Sequence, residues 1–302
     1  MDFPHVVDST MLAAFRSCPQ KFFQTYMEHW KPQGESVHLV AGAAFARGLE
    51  VAREAFYTDG QPPDDAIGAG LSALLQAYGD FECPEGSAKS PDRMAGALEF
   101  YFSRYPLAED AAQPLILPSG KRAIEFSFLE PLPFEHPTTG DPVLYSGRSD
   151  MIATFAEGVY IEDDKTASQL GASWSRQWDL RSQFTGYCWA AREAGIPVNG
   201  VLVRGVSILK TKYDTLQAVT YRSAWEIQRW LGQVGRDLNH MQACWETDYW
   251  DYNLDHACTE YGGCPLTSVC KSNEPERWLP MYFERRRWDP VDRRETLVEE
   301  GQ

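Results

Sequence analysis

The chain has 302 residues, 43% of them apolar and 13% aromatic, which supports one large core or two modest ones and argues against disorder. It contains no run of 18 apolar residues, so no membrane span is expected, and Met1 to Thr10 lacks the apolar stretch of a secretory signal. A cytoplasmic compartment is therefore the expectation, and with it seven cysteines without structural disulfides. The net charge of −15 weighs against broad, non-specific attraction to phosphate, though a local basic groove stays compatible with it.

Ser9 to Phe15 opens with capping residues and continues with apolar positions at helical spacing, breaking near Cys18-Pro19. A second aromatic helical segment should run from Gln20 to His29, and a third from Gly42 to Tyr57 with Phe45, Leu49, Ala52 and Phe56 as its apolar stripe. Ile67 to Phe81 and Pro91 to Tyr105 also read as helices. The stretch from Pro106 to Gly120 reads as loop. Strands follow at Ala123 to Leu129, Val143 to Phe155 and Val159 to Thr166. Next come a helix from Gln177 to Glu193 with Leu180, Phe184 and Ala191 buried, strands at Val201 to Leu209 and Thr215 to Tyr221, and a long helix from Ser223 to Trp245. The order β-β-β-α-β inside flanking helices implies an α/β layered fold. The whole of 1–302 reads as one domain, with a helical part (1–120), a core sheet (121–222) and a C-terminal helix with a cysteine-rich region (223–302).

Chemistry concentrates between Gly147 and Lys165. Two β-favouring runs flank the turn Ala156-Glu157-Gly158, a hairpin signal. Asp163 and Lys165 are two apart and share a strand face. With Asp150 opposite on the paired strand, two carboxylates and an ammonium converge. Such carboxylates repel unless a cation lies between them, and a divalent ion with oxygen ligands is the natural choice. Gln183 and Tyr187, four apart on the following helix, share a face. Cys258, Cys264 and Cys270 recur at six-residue steps beside glycines and a proline, a thiolate pattern that suits zinc or an iron–sulfur cluster. Three thiolates need a fourth ligand; Cys18 is the first choice, with His256 as a rival in a zinc site. Cys83, Cys188 and Cys244 lack such context and read as small buried residues.

Asp150, a gap, then Asp163-x-Lys165 resembles the PD-(D/E)XK nuclease signature. Gln183-x-x-x-Tyr187 after it resembles the QxxxY motif of RecB-type nucleases. Ser9, Phe15, Cys18, Pro19 and Phe22, together with the C-terminal cysteine trio, resemble the iron–sulfur staple of the CRISPR-associated and AddB-type relatives. The trio of that family is usually spaced C-x2-C-x5-C, whereas here the first gap is five residues, as expected of phage-type relatives. The family's Gly-x-x-x-His motif falls on Gly42 and Ala46, so its His is missing; Glu50, one turn on, could supply a carboxylate instead, or could simply pair with Arg47 or Arg53. The resemblance implies a restriction-endonuclease-like core, a mixed central sheet flanked by helices, with an N-terminal helical insertion and a C-terminal Fe-S region. It implies a metal-dependent DNA exonuclease of recombination, repair, CRISPR or phage DNA processing. Mg2+ or Mn2+ would be held by Asp150, Asp163, the Asp164 carbonyl and Glu50. Lys165, Gln183 and Tyr187 would assist, and Cys18, Cys258, Cys264 and Cys270 would hold a 4Fe-4S cluster. Its partners would be single-stranded DNA or duplex ends and a protein of the recombination or CRISPR machinery, with no membrane. The alternative is a catalytically inactive, cluster-bearing DNA-binding subunit, which Ala46 favours and the intact Asp150, Asp163 and Lys165 oppose.

Overall fold

The computed structural model describes residues 2–259 and 263–298, so Glu260, Tyr261 and Gly262 of the cysteine run lie outside the described residues. In chain order the elements are β1 (Val6–Asp8), α1 (Ser9–Ser17), α2 (Pro19–Phe22), β2 (Trp30–Pro32), α3 (Val37–Tyr57), α4 (Pro63–Tyr78), α5 (Pro91–Arg104), β3 (Gln113–Pro114), β4 (Ile124–Glu135), β5 (Pro142–Phe155) and β6 (Gly158–Ala167). They continue with α6 (Ala172–Arg176), α7 (Ser182–Glu193), β7 (Gly200–Ile208), β8 (Tyr213–Tyr221), α8 (Ala224–Thr247), α9 (His256–Thr259), α10 (Thr267–Cys270), α11 (Pro275–Tyr282), β9 (Phe283–Asp289) and β10 (Arg294–Leu297). The chain divides into two compact units, one of Met1–Gly34, Phe128–Gly147 and Gln228–Gln302, the other of Glu35–Ser127 and Arg148–Ile227.

In the second unit, β5 and β6 form the expected hairpin, paired from Phe155↔Gly158 to Met151↔Glu162. Its turn places Ala156 at φ 50°. β6 then pairs with β7 in parallel, so the chain must cross over, and α6 and α7 occupy that crossover. β7 pairs with β8 antiparallel. Every residue of β7 is buried, as a strand covered on both faces requires. Val206 and Ile208 of β7 join Phe45, Leu49, Leu98 and Tyr101 in the core beneath α3, α4 and α5. On the opposite face Trp174 of α6 lies so close to Gly205 that a Cβ there would clash with its ring. The mixed central sheet flanked by helices is thus present. Helices α3 and α4 touch backbone to backbone at a glycine pair: a Cβ on Gly70 would lie 2.6 Å from the Gly48 carbonyl oxygen.

In the first unit, β1 runs parallel to residues 144–146 of β5. Asp8 caps α1, one oxygen accepting from the Thr10 and Met11 amides at 2.8 Å and the other from Trp288 Nε1 at 2.7 Å. Strands β2, β9 and β10 form a small antiparallel sheet. Phe15, Phe22 and Trp250 pack as an aromatic group.

Several boundaries differ from the sequence expectation. Helix α3 begins at Val37 rather than Gly42, because Ser36 Oγ accepts from the His38 amide and caps it there. The segment expected as a helix from Gln20 to His29 is one α turn followed by a π-helical turn, Phe23–Met27. The helix expected from Gln177 starts at Ser182. Leu180, expected in its buried stripe, sits in the preceding turn and is 74% exposed. Gln113 and Pro114, expected as loop, pair with Thr154 and Ala153.

One face of β6 carries Glu162 and Asp164 into the layer of α3 and α5, and both are buried with their charges met. Arg53 reaches Glu162 at 2.6 Å and Asp164 at 2.8 Å, and Tyr101 donates to Asp164 at 2.7 Å. Arg204 grips both Asp110 oxygens at 2.6 Å and lies 3.4 Å from Glu162. Burial raises the Glu162 carboxyl to about 7, against the pull of Arg204 and Arg53. Removing one partner from such a group strands a buried charge. Arg204→Met should therefore cost about 3–5 kcal/mol in urea denaturation, with Arg204→Lys recovering only part because an ammonium cannot make the two-point contact. A loss under about 1 kcal/mol would show the group to be as marginal as a surface pair.

Candidate active site

Side chains alternate along β6, so Asp163 and Lys165 point away from the Arg53 group, toward the face that α7 covers. Met151↔Glu162 is the last ladder pair of β5 and β6, which makes Asp150 and Asp163 the next residues along the two strands. Asp150 Oδ2 accepts from the Asp164 amide at 2.7 Å. The Lys165 ammonium is in contact with the Asp163 carboxylate. Burial works to lower the Lys165 pKa, but Asp163 and Asp150 outweigh it and hold the amine above its ordinary value. Asp150 is pushed up to about 7, by burial first and by Asp163 second, with Lys165 opposing. The expected convergence of two carboxylates and an ammonium is present.

Helix α7 closes over this group. Gln183 Nε2 donates to the Tyr187 hydroxyl at 3.1 Å, Tyr187 is buried, and the Phe184 ring centre lies 6.0 Å from Lys165 Nζ. The Tyr187 phenol acts electrostatically on Lys165. The Asp164 side chain is turned away into the Arg53 group, so only its main chain faces Asp150. Glu50 pairs with Arg47 at 2.5 Å, and its charge is felt by Glu125. Ala46 is half-buried and offers no donor.

Glu125 is the member that the sequence reading missed. It lies in β4 at φ 51°, paired with Arg148 at 2.8 Å. Burial and then Asp150 raise its carboxyl to about 8, with Arg148 opposing. The available signal was an acid inside the apolar run Ile124-Glu125-Phe126, the same anomaly that marked Asp150.

In the other unit, Cys18, Cys258, Cys264 and Cys270 line one cavity of 190 Å³. None is in a disulfide. Cys258 accepts from the Cys264 amide through its carbonyl at 2.9 Å, which folds the trio back on itself. Burial raises the Cys270 thiol to about 11, and Cys264, Cys18 and Cys258 add to it. His256 is exposed and is not among the residues that line the cavity.

A family model described as the PD-(D/E)XK nuclease superfamily matches residues 9–271. The chain belongs to the PD-(D/E)XK nuclease superfamily. Nucleases of this superfamily typically use divalent metals. The crystal structure of a "putative exonuclease" from Eubacterium rectale is similar in fold, with a TM-score of 0.52 and 12% identity over 89% of this chain and 93% of that one. A crystal structure of SSO0001 gives a TM-score of 0.31 at 12% identity, over 80% of this chain and 79% of that one, too remote to carry an argument. The comparison with curated proteins returned no match. Among the described residues, no helix is long and apolar enough to cross a membrane.

The Asp150 shift has a measurable consequence. The ordinary carboxyl value is 3.8, and in the fold it is about 7. Between these values the folded protein keeps a proton that the unfolded chain has released, so rising pH through this window favours unfolding. In EDTA, Asp150→Asn should melt at a higher temperature than the parent at pH 8, with the difference closing toward pH 4. Mn2+ should stabilise the parent and not the variant. A parent that melts higher than Asp150→Asn at pH 8 in EDTA would contradict this.

Proposed function

We propose that this chain is a metal-dependent DNA exonuclease of the RecB-like, iron–sulfur kind, acting in recombination, repair or the processing of CRISPR or phage DNA. The observation that carries the reading is the meeting of Asp150, Asp163 and Lys165 under the Gln183–Tyr187 pair. The exonuclease mode rests on the sequence resemblance and on the description of the structural neighbour.

Asp150, whose proton affinity the neighbouring Asp163 raises, and the buried Asp163 make an oxygen donor set short of a cation. Asp150 and Asp163 would hold Mg2+ or Mn2+, with the Asp164 carbonyl, Glu50 and Glu125 at its margin. When bound, such an ion supplies Lewis acidity toward a phosphoryl oxygen and lowers the pKa of water. Lys165, kept protonated by Asp163 and Asp150, places a positive charge where the phosphate's negative charge grows. Tyr187 and Gln183, joined by their hydrogen bond, would order the strand or a water beside the metal.

The four-cysteine cavity fits a 4Fe-4S cluster in donor type and number. Cys18, Cys258, Cys264 and Cys270 would hold it, tying the N-terminal segment of the first unit to its C-terminal one. Zinc in the same four thiolates is the rival loading. Broad visible absorption in protein purified without oxygen, lost in Cys264→Ser, separates the two.

Cleavage of end-labelled single- and double-stranded DNA should require Mn2+ or Mg2+ and stop in EDTA. Asp163→Ala and Lys165→Ala should each lower the rate by about 10³-fold or more, with the label reporting polarity. No metal-dependent cleavage from folded, cluster-loaded protein would move the assignment to the DNA-binding subunit that Ala46 favours.

A further inference from the structure

Cys244 resembles a filler of the core when read from sequence. In the structure it has two polar companions. His240 and Cys244 are four apart on α8 and so share a face. Past the helix end, Asp248 turns the chain at φ 52° and the Tyr249 amide donates to the Cys244 carbonyl at 3.1 Å. This brings Asp251 back onto that face. His240 Nε2 lies 2.7 Å from Asp251 Oδ2, and the ligand atoms of His240, Cys244 and Asp251 all lie within 4.8 Å of one another. The Asp251 main chain is pinned, its carbonyl accepting from the Gln20 amide at 3.0 Å. Arg16, the nearest cation on α1, is taken up by Asp237 at 2.6 Å. A cavity of 490 Å³ lined by Arg16, Gln233, Asp237, His240 and Asp251 opens onto two of the three ligand residues, and Cys244 lies buried behind them.

We propose that His240, Cys244 and Asp251 form a zinc site, separate from the four-cysteine cavity, with solvent as its fourth ligand. The donors decide the metal. One imidazole, one thiol and one carboxylate are the borderline mixture that zinc takes in three-ligand sites. Magnesium and calcium need a shell of oxygens, and an iron–sulfur cluster needs more thiolates than this site offers. The zinc braces the chain just ahead of the cysteine trio. Asp251 is its ligand, and the neighbouring main chain touches Cys18: the Asn253 amide lies 3.5 Å from Cys18 Sγ, and that sulfur lies 3.9 Å from the Asp251 carbonyl. The inference does not depend on nuclease activity.

The test uses the full chain purified without oxygen, incubated with zinc, passed through gel filtration and assayed for zinc and iron. About one zinc per chain is expected beyond the content of the four-cysteine cavity. His240→Ala and Asp251→Asn, both at exposed side chains, should each reduce that zinc about tenfold or more while iron and visible absorption stay constant. If the four cysteines themselves hold zinc, the parent count rises by one and His240→Ala still removes one. Cobalt substitution provides a second readout: a thiolate-to-cobalt band present in the parent and absent in Cys244→Ser at unchanged circular dichroism. Zinc equal in parent and His240→Ala, zinc lost only in Cys258→Ser, no zinc retained at all, or zinc and iron lost together in His240→Ala would each overturn the proposal.

Discussion

The strand that carries the candidate site is held from behind. Glu162 and Asp164 on one face of β6 are locked to Arg53, Arg204 and Tyr101, while Asp163 and Lys165 on the other face meet Asp150. Because side chains alternate, a slip of one residue would exchange the two faces. It would bury Lys165 among arginines and turn Glu162 and Asp164 outward, taking from Arg53 both of its carboxylate partners and from Arg204 one of its two. That cost is that of stranding buried charges, several kcal/mol each. The charges behind the strand therefore fix the register in which the charges in front of it can act.

The same strand reconciles an acidic chain with an anionic substrate. The formal charge of −15 counts every carboxyl as ionised. Yet Asp150 and Glu162 are held to about 7 and Glu125 to about 8, in each case with burial as the largest cause. Near neutrality these groups carry only part of their formal charge. Lys165 meanwhile stays protonated. A whole-chain total thus says little about the potential over one strand end, where a bound divalent ion would add two positive charges to a group already short of them.

What was legible in the sequence was whatever depends on short spacing. The hairpin, the shared face of Asp163 and Lys165, the Gln183–Tyr187 pair and the cysteine trio each follow from periodicity over a few residues. What was not legible depends on long-range closure. Glu125 meets the charge of Asp150 from another strand, β4, at a residue whose backbone is left-handed. Asp110 and Arg204 are 94 residues apart and signal nothing to one another in sequence. Alternation puts the Asp164 side chain opposite Asp163 and Lys165, but its partners Arg53 and Tyr101 are far away in sequence. Short strands such as β1 and β2, three residues each, carry too few positions for an alternation to show. Leu180 failed for a local reason: helix α7 starts two residues later, so the 3.6-residue period was extended backward through a turn.

The unit that carries the cysteines also explains why it needs them. It is drawn from three separated stretches of chain, and its C-terminal part offers little that is stable alone. Helices α9 and α10 have four residues each and α11 has eight, below the length at which an isolated helix persists in water. The apolar group there rests on Leu266, Val269, Leu279 and Phe283, a small core to set against the entropy of ordering that stretch of chain. Asn253 and Asp251 contact Cys18 through main-chain atoms at 3.5 and 3.9 Å, beside the Gln20 amide on the Asp251 carbonyl at 3.0 Å and Asn253 Nδ2 on the Ser17 carbonyl at 2.8 Å, a join of a few hydrogen bonds. Ligation of Cys18 together with Cys258, Cys264 and Cys270 would concentrate the missing stabilisation at one point. Metal binding to a site absent from the unfolded chain is itself folding free energy. The thiols therefore sit where short helices and a small core leave a deficit that ligation of a metal by all four would fill.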